Sequence, residues 1–132
     1  MEKYEKMAGG WGFENPFYNS IAKVATLADK KELRIIASPI TFTTVSYILN
    51  RHEPAGIVAE KLRKFKIICE IGLVDEHVIE KALNSNFNDF KDAVQYYCAI
   101  ESECQIIITR NGKDFKESEI PFMTADEYLS SR

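Results

Sequence analysis

Asp89 and Asp92 stand three residues apart in "FNDFKDAVQYY" (Phe87–Tyr97), at the point where apolar residues begin to recur with helical spacing. Carboxylates three apart share one side of a helix and can converge on a common point. Two chemistries fit that pattern. Asp89 can cap the helix while Asp92 complements its positive N-terminal end. Alternatively, the two carboxylates form half of a site for a hard divalent cation, which takes oxygen ligands and retains several waters. A second polar cluster, "TRNGKDF" (Thr109–Phe115), follows an apolar run and adds Thr109, Asn111 and Asp114 as oxygen donors. Spacing alone leaves capping and cation binding both open.

These segments must be held by a sheet. "LRIIAS" (Leu33–Ser38) is a short apolar run of the kind that forms a strand covered on both faces. "IGLVD" (Ile71–Asp75), "QIIIT" (Gln105–Thr109) and "IPFM" (Ile120–Met123) read as further strands. Helical spacing runs through Phe17, Ile21, Val24 and Ala28, from Pro39 to Leu49, from Pro54 to Cys69, and over Glu76–Leu83. Pro16 and Pro39 suit first helical turns, Asn111-Gly112 a turn, and Thr124 the cap of a terminal helix. Strands separated by helices imply a three-layer α/β/α domain with a central parallel sheet. In such sheets, sites form at the carboxyl ends of the strands, where Asp89 and the segment after Thr109 belong.

Composition narrows the function classes. A chain of 132 residues, 45% hydrophobic and 28% charged, is one ordinary globular domain. The net charge of −3 gives no global attraction to nucleic acid. Cys69, Cys98 and Cys104 lack metal spacing and read as free thiols. No apolar run reaches membrane-spanning length and no signal-peptide pattern opens the chain, so a cytoplasmic location is expected. The cationic "KLRKFK" (Lys61–Lys66) reads as a solvated helix face; His52 and His77 lie at helix ends. Tyr96 and Tyr97 suit packing, and Phe42 and Tyr47 could serve a dimer face.

The block Asp89–Phe115 resembles the C-terminal half of PIN domains, especially the VapC-like toxin ribonucleases. The shared features are an acidic residue opening a helix (Asp92-Ala93), a strand ending in Thr109-Arg110-Asn111, and a nearby Asp114-Phe115. "ASPITFTTVSYIL" (Ala37–Leu49) resembles the family's strand-to-helix crossing, and "IPFMTADEYL" (Ile120–Leu129) its closing strand and tail. The resemblance covers Pro16 to Leu129 and favours the metal reading of Asp92. It implies Asp92, Asn111 and Asp114 as catalytic residues and Asp89, Asp92, Asn111 and Asp114 as ligands of Mg²⁺ or Mn²⁺. It further implies RNA as substrate and an antitoxin-like protein partner. An incomplete sheet and the apolar helices Pro39–Leu49 and Pro54–Cys69 would leave surface exposed in a monomer, so a homodimer or a complex with a small partner is expected.

Departures from the pattern shape the expectation. The family begins with an apolar strand ending in an aspartate, yet residues 1–15, "MEKYEKMAGGWGFEN", contain no aspartate and are rich in glycine. They are expected to form an atypical N-terminal segment, without that strand, ahead of a single domain over residues 16–132. Thr43 and Thr44 stand near the family's second acidic position, and Asn111 at its fourth. The expected activity is therefore a metal-dependent endoribonuclease of VapC type with an impaired, weakly metal-binding site. The alternative is a non-catalytic module that binds RNA or a protein partner. A receiver-like phosphoacceptor domain needs a strand-ending aspartate and a later strand-ending lysine, and the chain has neither arrangement.

Overall fold

The computed structural model describes residues 5–9, 18–110 and 112–132, with side chains from Ser20 onward apart from residue 111. Its elements in chain order are β1 (Glu5–Gly9), α1 (Tyr18–Asp29), β2 (Leu33–Ala37), α2 (Pro39–Leu49), α3 (Ala55–Ile68) and β3 (Cys69–Ile71). These are followed by α4 (Glu76–Leu83), α5 (Phe90–Glu101), β4 (Ile106–Ile108), a 3₁₀ turn (Gly112–Phe115), β5 (Phe122–Met123) and α6 (Ala125–Ser130). The strands form a five-stranded sheet in the order β3-β2-β1-β4-β5, with every pairing parallel.

Alternation along the strands shows why the sheet needs helices on both sides. Leu33 and Ile35 of β2 and Ile108 of β4 enter one buried cluster with Val24 and Ala28 of α1 and Ala125 and Tyr128 of α6. Their neighbours Ile36 and Ile107 point the other way, into a cluster with Tyr96, Ala99, Cys104 and Phe115. Val78 and Ala82 of α4 pack on Ala93 and Val94 of α5 and thicken that second layer. The three-layer α/β/α architecture with a parallel sheet is therefore as the alternation of strands and helices predicts.

The helix boundaries follow local chemistry. Ser38 caps α2 by accepting from the Thr41 N–H, and Pro39 occupies the first turn, where its missing N–H costs nothing. Asp75 caps α4 through the Val78 N–H. Thr124 and Glu127 form a reciprocal capping box on α6.

Two expectations are corrected. The first strand is not absent, because Glu5–Gly9 lies at the centre of the sheet, pairing with β2 on one side and β4 on the other. Only its composition is atypical. The third strand is Cys69–Ile71 rather than Ile71–Asp75, and it begins immediately after α3 ends. Its register is set by β2, with Ile35 opposite Cys69 and Ala37 opposite Ile71. The Gly72 N–H then bonds to the Ala37 carbonyl at 2.9 Å, and Leu73, expected inside, is 67% exposed.

Gly72 is fixed by what lies beneath it. A Cβ there would meet Cys98 Sγ at 2.6 Å, Ser102 Oγ at 3.0 Å and Ile36 Cγ2 at 3.1 Å. The last is a core side chain with little room to retreat. Gly72→Ala is expected to lower unfolding stability by about 1–3 kcal/mol through overpacking, measured by chemical denaturation. Adding Cys98→Ala to that variant removes the closest atom and should recover part of the loss. Equal losses with and without Cys98 would contradict this account.

Candidate acidic site at the sheet's carboxyl edge

A helix that leads into a parallel strand runs antiparallel to it, so the N-terminus of α5 lies at the carboxyl edge of the sheet, near the end of β4. Here the strand order reverses: β1 lies between β2 and β4, the topological switch point where open α/β sheets place their sites. Asp89 and Asp92 open α5 at this edge, Thr109 directly follows β4, and Asp114 lies on the 3₁₀ turn.

Capping and charge clustering occur together. Asp89 is the N-cap of α5, and its carboxylate accepts the Asp92 N–H at 3.2 Å. Asp92 is half-buried beside Ala93 and Val94, which are almost wholly buried against α4. Partial burial pushes its carboxyl above the usual value of 3.8, and the negative charges of Asp89 and Asp114 push the same way against Lys91. Asp114 is brought near by its neighbour Phe115, which is buried and meets Phe87 edge-on with ring centroids 6.0 Å apart. Phe87 also packs on Tyr96 at 5.0 Å, and the Tyr96 hydroxyl accepts the Glu119 N–H. Tyr96 is thus a core residue, and Tyr97 packs edge-on against it.

Three of the four expected donors therefore share one electrostatic environment. Asn111 lies outside the described residues. Among the described residues, no group of three or more His, Cys, Asp or Glu side chains closes into a ligand set for a metal ion. Carboxylate oxygens are the donor class that hard divalent cations take, usually with several waters retained.

The structure adds residues that the sequence did not single out. Gln95 lies one turn beyond Asp92, and its Oε1 accepts from the buried Thr41 hydroxyl at 3.5 Å. Thr41 Oγ1 is also 3.4 Å from Ser38 Oγ, which accepts the Thr41 N–H. Ser38, Thr41 and Gln95 thus join the end of β2 to the Asp92 side of α5 with neutral oxygens. The only sequence signal was the buried-strand exit "ASP", which announces a cap. Thr43 turns its hydroxyl onto the Ile40 carbonyl and supplies no charge in place of the family's acid.

Other candidates fall away from this edge. His77 lies 3.3 Å from Glu101, which also binds Lys81 at the surface. His52 is exposed between α2 and α3. The cysteines are free, and burial pushes the Cys69 thiol up to about 11.

Comparison with known proteins accords with this geometry. The family profile for the PIN domain matches residues 7–113, most of the chain. The chain belongs to the PIN domain family. A solved structure of VapBC-1 from nontypeable Haemophilus influenzae superposes with a TM-score of 0.63, covering 92% of this chain and 98% of that one. At 10% identity, that likeness is one of fold. No curated protein matches. No helix among the described residues is long and apolar enough to cross a membrane.

The raised Asp92 carboxyl of this PIN domain has a signed consequence for stability. A carboxyl whose folded value exceeds its unfolded one favours folding while protonated and loses that contribution as pH rises from about 3.8 through the folded value. At neutral pH the ionised group therefore weighs against the fold. Asp92→Asn is expected to raise the thermal midpoint at pH 7, with the gain shrinking to nothing below about pH 4. Thermal unfolding across pH checks this. A variant less stable at pH 7 would mean that the helix N-terminus holds the charge more strongly than burial opposes it.

Proposed function

We propose that this PIN-domain chain is of VapC type: it engages RNA at the Asp92 edge, holds Mg²⁺ or Mn²⁺ weakly, and cleaves phosphodiester bonds poorly. The observation that carries this reading is the gathering of Asp89, Asp92 and Asp114 into one field at the switch point. A dication bound there would activate water and offset charge at the scissile phosphate. Asp92 would hold it, with Asp114 and Asn111 in the catalytic roles that the family resemblance suggests. Asp89 is committed to the Asp92 N–H and orients the first turn. Ser38, Thr41 and Gln95 hold the neighbouring elements in register but add no negative charge. With no aspartate in residues 1–15 and threonines near the second acidic position, the charge available to offset a dication is small.

Purified protein is expected to bind Mn²⁺ no tighter than about 0.1 mM, the weak end set by few charged ligands. Any RNA cleavage should be slow, abolished by EDTA and lost in Asp92→Asn. Robust cleavage that survives rigorous purification would overturn the impaired-site reading and point to a further acid, such as Glu14 or a partner's carboxylate.

A second reading, a module whose principal activity is binding a protein partner, is favoured by one feature. A groove of about 700 Å³ between α1, α2 and α3 is floored by Ile21, Ala25, Val45, Leu49 and Phe65, with Lys61 and Lys64 on its rim. Its apolar floor suits the apolar face of an amphipathic segment such as an antitoxin-like partner would present. The same apolar surface could support a homodimer. Sedimentation is expected to show a dimer, or a complex with a co-purifying small protein, and a cytoplasmic location accords with either. A monomer at high micromolar concentration with no recovered partner would count against association.

A further inference from the structure

The exposed face of α2 and the turn after it carry an aromatic and cationic stripe, on a helix whose first turn is bonded to α5 through the buried Thr41. Thr41, in the first turn, is tied to Gln95 on the Asp92 face of α5. Beyond it, Phe42, Thr43, Ser46, Tyr47 and Asn50, with Leu62 of α3, line a second, open hollow of about 490 Å³. Tyr47 is 64% exposed, and the Arg51 guanidinium carbon lies 4.6 Å from its ring centroid. Contact with Arg51 also holds the Tyr47 hydroxyl below its ordinary value of 10.0. Among the described residues no carboxylate forms an ion pair with Arg51. The neighbouring Lys61, by contrast, is neutralised by Glu53. At 1.5 Å per residue, Tyr47 lies about 9 Å along the helix from Thr41, and Arg51 sits in the turn two residues past the end of α2.

We propose that this stripe is a track for single-stranded RNA leading to the Asp92 edge, with Tyr47 stacking a base, Arg51 meeting a phosphate, and Ser46 and Asn50 offering hydrogen bonds. The proposal rests on the RNA reading above and adds the residues that position the strand. RNA suits this face better than a protein segment does. An exposed ring flanked by a guanidinium that no described carboxylate pairs, and by small polar groups, matches the combination of π-face, anion and hydrogen-bonding edges that an unstacked nucleotide presents. The acidic edge itself repels phosphate, so attraction must come from such a neighbouring surface. An overall charge of −3 requires that attraction to be local.

The test is fluorescence anisotropy of the full chain with a labelled, mixed-sequence single-stranded RNA, in buffer containing Mg²⁺ and across a salt series. Tyr47→Ala is expected to weaken binding by roughly tenfold, in the range for losing one stacked base, while Tyr47→Phe retains it. Arg51→Ala should weaken binding and reduce the salt slope by about one phosphate's worth. Both side chains are on the surface, and circular dichroism confirms that the variants fold. Wild-type binding that is insensitive to all three substitutions would overturn the track while leaving the RNA reading intact. If the wild type binds no RNA, the RNA reading and the track fall together. If Tyr47→Ala leaves RNA binding unchanged but dissociates a dimer in sedimentation, the face is a protein interface and the proposal is wrong.

Discussion

Everything in this fold depends on one short strand having neighbours on both sides. Glu5–Gly9 offers little that favours a strand in isolation: two charged residues, an alanine and a glycine at its end. It is held because its backbone groups face β2 on one edge and β4 on the other. Without it the sheet would separate into the pair β3-β2 and the pair β4-β5, each with an open edge. The same strand creates the switch point. Because β2 and β4 flank β1, the connections diverge there and leave a crevice at the carboxyl edge, where α5 begins.

That dependence explains what could be read from residues alone. Leu33–Ala37 and Pro39–Leu49 were legible almost to the residue, because an apolar run, a serine cap and a first-turn proline are local signals. The terminal helix announced itself in the same way through Thr124. β1 was not legible, since its strand character is conferred by tertiary pairing rather than by propensity. β3 was misplaced by a few residues because hydrophobicity pointed to Leu73 and Val74. The backbone instead finishes its ladder at Gly72, where only a residue without a side chain passes over Cys98.

The site was half legible for a related reason. Asp89 and Asp92 could be placed on one helical turn from spacing, and the two readings of that pair are not alternatives. Asp89 accepts the Asp92 N–H, and its charge also raises the Asp92 carboxyl. Asp114 joins them because Phe115 is drawn into an aromatic cluster with Phe87 and Tyr96, a long-range event that no local pattern encodes. The link from Thr41 to Gln95 spans 54 positions in the chain and was invisible for the same reason.

The electrostatics of the edge then set what the site can do. A half-buried carboxylate facing two others is stabilised by whichever positive species arrives, a proton or a metal ion, and the two compete for the same charge. Where further carboxylates converge, the cation wins at neutral pH. Where no further carboxylate converges, neutral oxygens can orient a hydrated ion but cannot offset its charge. The field left over is negative, so a phosphate approaching without a cation is repelled from the point where chemistry would occur. Any nucleic acid must therefore be held from outside that point. The outer face of α2 and the turn after it carry an open aromatic ring, Tyr47, beside Arg51, a cation with no ion pair to a described carboxylate, and the first turn of α2 is bonded to α5. On the proposed reading, RNA binding and bond cleavage would fall to different parts of the molecule, and weakening one need not abolish the other.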